Sequence, residues 1–287
     1  MEEQGSYLTG VLMLALLAGS LMVWAALVDR GVKRHAPLIY EPRLPVPWSG
    51  LDVIVLGITV LLLQSLLVGA AAVATGTEPT MKSPAVLGAI VVSRGVWLLF
   101  AIGYLVRRAG AYADDMGFDL RRWRYDLRVA GLTFLAAIVP VYGAQLVLTQ
   151  VFGYKSEHAL VQLSKEAPNA GVLLLVSLAA VLVAPLVEEF MVRVVLQGWL
   201  EKKQQEYRQR RGDLSESPAG FGPIVVSAAI FAALHGWPDA IALFLLSLFL
   251  GYVYQRTHRI VAPLAIHVLV NSLAMFELWR AFLAGSL

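Results

Sequence analysis

Eight stretches of the chain are almost continuously apolar, and the polar residues gather between them. The stretches run at roughly 7–28, 52–75, 85–106, 129–152, 171–200, 222–236, 239–255 and 260–284, by length and hydropathy window. Most are about 20 residues long, the length a helix needs to cross a bilayer. The sixth and seventh are shorter. Between them stand Gly236, Trp237 and Pro238, a turn signal. The pattern predicts a helix in each stretch, because hydrocarbon leaves unpaired backbone groups no other partner.

Composition sharpens the class. The chain has 287 residues, 58% of them hydrophobic and only 15% charged, and its mean hydropathy is +0.69. A soluble domain of this size does not need so much apolar surface. The expected fold is therefore all-α, a polytopic membrane protein with about eight transmembrane helices. The segment MEEQGS ahead of the first stretch is acidic, and a basic loop follows it, so that stretch reads as a retained span rather than a cleaved signal. There is no cysteine, which removes disulfides and thiolate metal sites from consideration. No internal repeat or linker is visible. Residues 1–170 form an N-terminal membrane-spanning region of four helices. Residues 171–287 hold the other four, with every chemically suggestive residue but one.

The distribution of positive charge supports the count. Arg30, Lys33, Arg34 and Arg43 follow the first span. Arg107, Arg108, Arg121, Arg122, Arg124 and Arg128 follow the third. Lys202, Lys203, Arg208, Arg210 and Arg211 follow the fifth, and Arg256 and Arg259 lie in the last turn. The intervening loops carry only Lys82, Lys155 and Lys165, while Arg94, Arg193 and Arg280 fall inside spans. By the positive-inside rule the four basic loops face the cytoplasm and both termini face outward, in the cell inner (plasma) membrane. The aspartates Asp114, Asp115, Asp119 and Asp126 are placed in one cytoplasmic loop.

Strongly polar residues inside the spans are few, and such residues commonly serve function. In the last four spans they are Glu188, Glu189, Arg193, His235, His267 and Asn271. Glu189 and Arg193 stand at i and i+4, so they are expected to form a structural ion pair on one helix face. Glu188 is turned about 100° from Glu189 and points elsewhere. Pro185, one turn earlier, removes a backbone donor and opens room beside it. His235 ends FAALH with Phe231 on its own face. His267 and Asn271, in HVLVN, again stand at i and i+4. At 1.5 Å per residue the four lie ~18, ~20, ~10 and ~16 Å from the cytoplasmic ends of their helices, close enough in depth for one cluster. A buried carboxylate can serve as a general base toward water. Imidazole and carboxamide groups can hold a developing oxyanion. The set fits amide hydrolysis. Glu188 takes a proton from water, His235 orients that water, and His267 with Asn271 holds the tetrahedral oxygen. The competing reading of Glu188, Glu189 and Arg193 is a buried ion network that only fixes helix packing.

The segments EEFMVR, FAALH and HVLVN resemble the three motifs EExxxR, FxxxH and HxxxN of the CAAX-processing and bacteriocin-processing (CPBP, or Abi) proteases. The resemblance covers about residues 171–275. It implies that Glu188 is the catalytic glutamate, His235, His267 and Asn271 its partners, and Glu189 and Arg193 the structural pair. It implies an intramembrane endopeptidase acting on a protein or peptide substrate, prenylated or bacteriocin-like. That family has been described both as metal-dependent and as metal-free. With no HExxH and no declared ligand set, the reading taken here needs no metal and no other cofactor. The sequence has neither the intramembrane serine motif nor the paired intramembrane aspartates of other membrane proteases. Two alternatives from other classes are a catalytically silent scaffold or bacteriocin-immunity-type protein, and a proton-coupled transporter. The transporter would be favoured by inverted repeats, which are not seen.

Other polar residues receive plainer readings. Arg94, in VVSRGVW, either binds a substrate carboxylate or pairs with a core glutamate, and structural pairing is favoured. Glu277 and Arg280 are expected to pair at i and i+3. His158 and His258 are expected to be solvated. Trp48, Trp199, Trp237 and Tyr252 read as interface anchors. EKKQQEYRQRR extends the fifth helix into the cytoplasm, where it meets anionic membrane lipid rather than nucleic acid.

Overall fold

The apolar stretches do become helices. The computed structural model describes residues 2–78, 83–153, 169–213, 215, 217–237 and 239–285. Lys82, Lys155, His158 and Lys165 lie outside the described residues. Among those residues there are eight helices and no strand: α1 (Glu2–Val32), α2 (Gly50–Thr75), α3 (Pro84–Tyr104, followed by a π turn over Leu105–Ala109), α4 (Trp123–Phe152), α5 (Ala170–Arg210), α6 (Gly222–His235), α7 (Asp239–Thr257) and α8 (Val261–Leu283). Seven are long and apolar enough to cross a membrane, which makes this a multi-pass membrane protein. The exception is α6. Its 14 residues rise only about 21 Å, short of a hydrocarbon core of about 30 Å. The eight expected stretches are thus eight apolar helices, seven of them long and one shorter.

The helix ends have local causes. Ser49 and Asp52 form a reciprocal capping box at the start of α2, where Asp52 Oδ2 accepts from the Ser49 backbone N–H at 2.8 Å. Gly76 ends that helix in the left-handed region, at φ 61°. Proline opens α3 and α6, where its missing N–H costs nothing. α5 continues through EKKQQEYRQRR to Arg210, as expected.

Residues of this chain gather into two compact units, neither of them a contiguous stretch. The first contains α1, α4, α5 from Val192 onward, α6, α7 and the chain as far as Ile266. Within it α1 packs on α4, with Trp24 Nε1 donating to the Ala136 carbonyl at 3.0 Å. α7 packs on both α6 and α4. An ion network ties the ends of these helices. Arg259 grips Asp126 in a bidentate fork along one edge, Nε to Oδ2 at 2.9 Å and Nη2 to Oδ1 at 2.9 Å, and binds Glu41 with the other. Arg122 reaches Glu41 at 3.1 Å. Beside this lies a second group: His258 Nε2 is 3.2 Å from Glu201 Oε2, and Arg43 donates to the Tyr254 hydroxyl at 3.0 Å. Gly117, at φ 74°, lets the 113–122 segment touch this turn. A β-carbon there would stand 3.1 Å from the His258 carbonyl, and Ile260 N–H donates to the Gly117 carbonyl at 3.0 Å.

Three sequence expectations fail here. His258 is buried, not solvated, and its Nδ1 bonds the Glu41 carbonyl at 2.9 Å. Asp126 belongs to the first turn of α4, where Arg259 neutralises it, rather than to a loop. Trp48 is fully buried and so is not an exposed interface anchor. For His258 and Asp126 a partner distant in sequence supplies what solvent was expected to supply. Glu277 and Arg280 do pair, at 3.0 Å.

The second unit contains α2, α3, α5 as far as Met191, and α8 from His267. α2 and α3 pack along each other, and Trp97 Nε1 donates to the Leu56 carbonyl and Thr59 hydroxyl, each at 3.2 Å. Leu87 of α3, Val172, Leu173, Val176 and Ala179 of α5, and Met275 and Leu278 of α8 close one apolar core. That core brings three helices together around the polar residues described next.

Candidate functional site

The winding of α5 sets the site. It is α-helical over Ala170–Ser177, π-helical over Leu178–Val183, α-helical over Ala184–Glu189 and π-helical again over Phe190–Gln197. Pro185 explains part of this. At the end of the first π segment Ala184 N–H turns to the Ala179 carbonyl, five residues back. The next donor in that register would be residue 185, and proline has none. The Ala180 carbonyl is thereby left without a donor in its own helix. Asn271 of α8 supplies one, its Nδ2 donating at 2.7 Å. The proline thus produces a carbonyl that a neighbouring helix caps.

Glu188 and Glu189 follow on the single α turn between the two π segments. Their different directions are as expected. Glu189 is fully buried, and its Oε1 lies 2.9 Å from His267 Nδ1. An ionised carboxylate only accepts, so Nδ1 carries the proton and the Nε2 side of the ring points away from Glu189. Nε2 lies 3.8 Å from Glu188 Oε2. Glu188 keeps about a fifth of its side chain accessible, while His267 is buried. Arg94 of α3 reaches Glu188 Oε1 from the other side, at 3.5 Å. Within the second unit the structure therefore brings together Glu188, Glu189, His267, Asn271 and Arg94. Asn271 and His267, four apart on α8, serve neighbouring stretches of α5 rather than one common point.

Arg193 and His235 belong to the first unit. Arg193 is fully buried. It donates to the hydroxyls of Ser227 and Ser247 and to Gln197 Oε1, and its guanidinium lies 5.8 Å from the Phe231 ring centre. Gln197 passes the network on: its Nε2 donates to Glu201 Oε1 at 2.9 Å and to the Gly251 carbonyl at 2.8 Å. A β-carbon at Gly251 would stand 3.0 Å from Gln197 Oε1, so only glycine leaves that approach open. His235, at the exposed end of α6, bonds the Phe231 carbonyl through Nδ1 at 2.8 Å, and its ring lies 4.4 Å from the Phe231 ring. The expectation that Phe231 shares its face holds. With Nδ1 donating, Nε2 is the acceptor of the neutral ring.

Sequence reasoning missed three partners: His267 for Glu189, the Ala180 carbonyl for Asn271, and Gln64 for Arg94. For Gln64 a signal existed, a lone amide in the apolar run VLLLQSLL. For the other two none did, because the partner is chosen by helix rotation. As for a metal, no group of three or more His, Asp or Glu among the described residues is arranged to hold one. Nδ1 of His267 is already committed to Glu189.

No curated protein and no solved structure matches the chain. Residues 170–273, the segment that holds all six polar residues of the three motifs, match the Rce1-like family model, described as type II CAAX prenyl endopeptidase Rce1-like.

Proposed function

We propose that the chain is an intramembrane endopeptidase that hydrolyses a peptide bond with water activated by Glu188. The observation that carries this reading is the facing of Glu188 Oε2 and His267 Nε2 across 3.8 Å, with Glu189 fixing the ring from behind at 2.9 Å. That gap is too long for a direct hydrogen bond. A water about 2.8 Å from both atoms spans it. Glu188 then takes the proton as the water oxygen attacks the carbonyl carbon. The breaking C–N bond receives a proton from the glutamic acid so formed. His267, with its charge balanced by Glu189, is suited to steady the tetrahedral oxygen, and Asn271 enters through its motif HVLVN, holding the winding of α5 ahead of Glu188. His235 enters through its motif FAALH, and the pairing of Glu189 with Arg193 through EEFMVR. The substrate is a protein or peptide in or beside the membrane, prenylated or bacteriocin-like. The positive-inside reading of the basic loops, which sets them on the cytoplasmic face of the inner membrane, favours cleavage on that side.

The test is Glu188→Gln in purified, detergent-solubilised protein. This variant keeps shape and hydrogen bonding but removes the base. It is expected to abolish cleavage of a fluorogenic peptide. Unchanged turnover would end the glutamate mechanism. Loss of a cellular phenotype only on altering the loops, with Glu188→Ala silent, would favour the scaffold instead.

A further inference from the structure

Arg94 lies midway along α3, outside the segment 170–273 that matches the peptidase family. A guanidinium offers five N–H donors. Among the described residues Arg94 makes two contacts, Nη1 to Glu188 Oε1 and Nε to Gln64 Oε1, each at 3.5 Å. An arginine at membrane depth is costly, so its partner and geometry carry information.

The geometry is not that of a structural pair as this protein builds one. Arg259 holds Asp126 through two atoms of one edge, Nε and Nη2, each at 2.9 Å, with Asp126 fully buried. Arg94 touches Glu188 through one atom at the outer limit of a hydrogen bond, with each side chain about a fifth exposed. A bidentate buried pair holds helices together. A single long contact adds little to stability but still directs the carboxylate it faces. Gln64 of α2 holds the other edge of the guanidinium, and α2 packs along α3. The direction from which Arg94 approaches is therefore fixed by two helices.

We infer that Arg94 is a positioning residue for Glu188 in the hydrolysis, with Gln64 as its support. Arg94 addresses Oε1 from α3 while His267 faces Oε2 from α8, so the plane of the carboxylate is set from two sides. The helices α2 and α3 thus contribute to the reaction and do not merely anchor the chain. This rests on the reading of Glu188 as the base.

The experiment uses the full-length protein in detergent and an internally quenched fluorogenic peptide that the unaltered protein cleaves. Arg94→Gln, Arg94→Lys, Gln64→Leu and Glu188→Gln are compared by kcat, KM and melting temperature. Arg94→Gln is expected to lower kcat on the order of 100-fold, the scale of a small misplacement of a reacting group. Its KM stays within about twofold, as expected when ground-state binding is untouched. Arg94→Lys recovers part of the loss, since it keeps a positive charge without the planar fork. Gln64→Leu lowers kcat in the same direction, by less. Wild-type kcat in Arg94→Gln overturns the inference. So does a rise in KM at constant kcat, or a loss that Arg94→Lys does not relieve. Should Arg94→Gln not fold, unchanged kcat in both Arg94→Lys and Gln64→Leu overturns it as well. Full turnover by Glu188→Gln sinks the parent reading and this one together. An inactive Glu188→Gln beside an unaffected Arg94→Gln sinks only the role of Arg94.

Discussion

Asn271 of α8 caps the carbonyl of Ala180 in α5, its amide donating at 2.7 Å. The bond exists because Pro185 cannot serve that carbonyl, and it couples the motif HVLVN to the winding just ahead of EEFMVR. Asn271→Ala strands a carbonyl inside the second unit, at an expected cost of about 2 kcal/mol. Pro185→Ala returns a backbone N–H five residues beyond Ala180. The double variant is therefore expected to be more stable than Asn271→Ala alone. Thermal unfolding of the three variants in detergent measures this. Strictly additive losses would show that the proline and the asparagine act independently.

Glu189 is expected to act through His267. Glu189→Gln preserves an acceptor for Nδ1 but removes the charge that steadies a protonated ring. The expected result is a folded protein whose kcat falls by about 100-fold, with activity still above that of Glu188→Gln. Steady-state kinetics on both variants, beside gel filtration, decides it. If Glu189→Gln works as fast as the unaltered protein, the dyad has no part in the chemistry.

Acid is expected to loosen the first unit, with His258 as its sensor. Burial pushes the His258 imidazole below its ordinary range, Arg43 pushes it further down, and Glu201 with the Glu41 carbonyl pulls it part of the way back. The ring is thus neutral in the folded protein, while in the unfolded chain it titrates near ~6.5. Below that pH the unfolded chain binds a proton that the folded one refuses, so stability falls as pH falls. Glu41 adds to the loss at lower pH. Burial opposes its ionisation, but Arg259 and Arg122 outweigh burial and hold the carboxyl below its usual value. Melting temperatures across about pH 4–8 should therefore decline toward acid, beginning near ~6.5. In His258→Gln the first part of that decline should vanish. A profile flat down to pH ~5 would contradict the assignment.

The length of α6 bears on topology. If all eight helices cross, both termini lie on one side. A half-crossing α6 that packs on α7 returns to the side it entered, so the termini still share one side; they lie on opposite sides only if α6 stays out of the membrane and α7 crosses alone. The absence of cysteine makes the test clean. Single cysteines at Tyr7 and at Gly285 are labelled in sealed cells with a membrane-impermeant maleimide. The positive-inside pattern predicts that both react from outside. Reaction of only one would mean an odd number of crossings, with α6 outside the membrane.

Much of this was legible before any coordinates. Hydropathy windows and helical period are local properties, so they located the helices within a few residues and put Phe231 under His235. The same locality explains the failures. His258 reads as solvated because its neighbours QRTHR are polar, yet Glu201 and Glu41, far away in the chain, enclose it. Arg94 reads as one cation in an apolar run, and nothing near it in sequence names Glu188 as its target.

By itself the sequence determined that this is an all-helical, multi-pass membrane protein, and it set the polar motif residues on the fifth, sixth and eighth apolar segments. Those facts follow from the cost of bare backbone and charge in hydrocarbon, which every stretch of chain meets on its own. Only the tertiary structure decided that Glu189 holds His267, that Asn271 answers Ala180 and that Arg94 faces Glu188. Those choices depend on how each helix is turned about its axis. Two π segments in α5 reset that turn, because each extra residue in a turn rotates all that follows, and no period in the sequence records it.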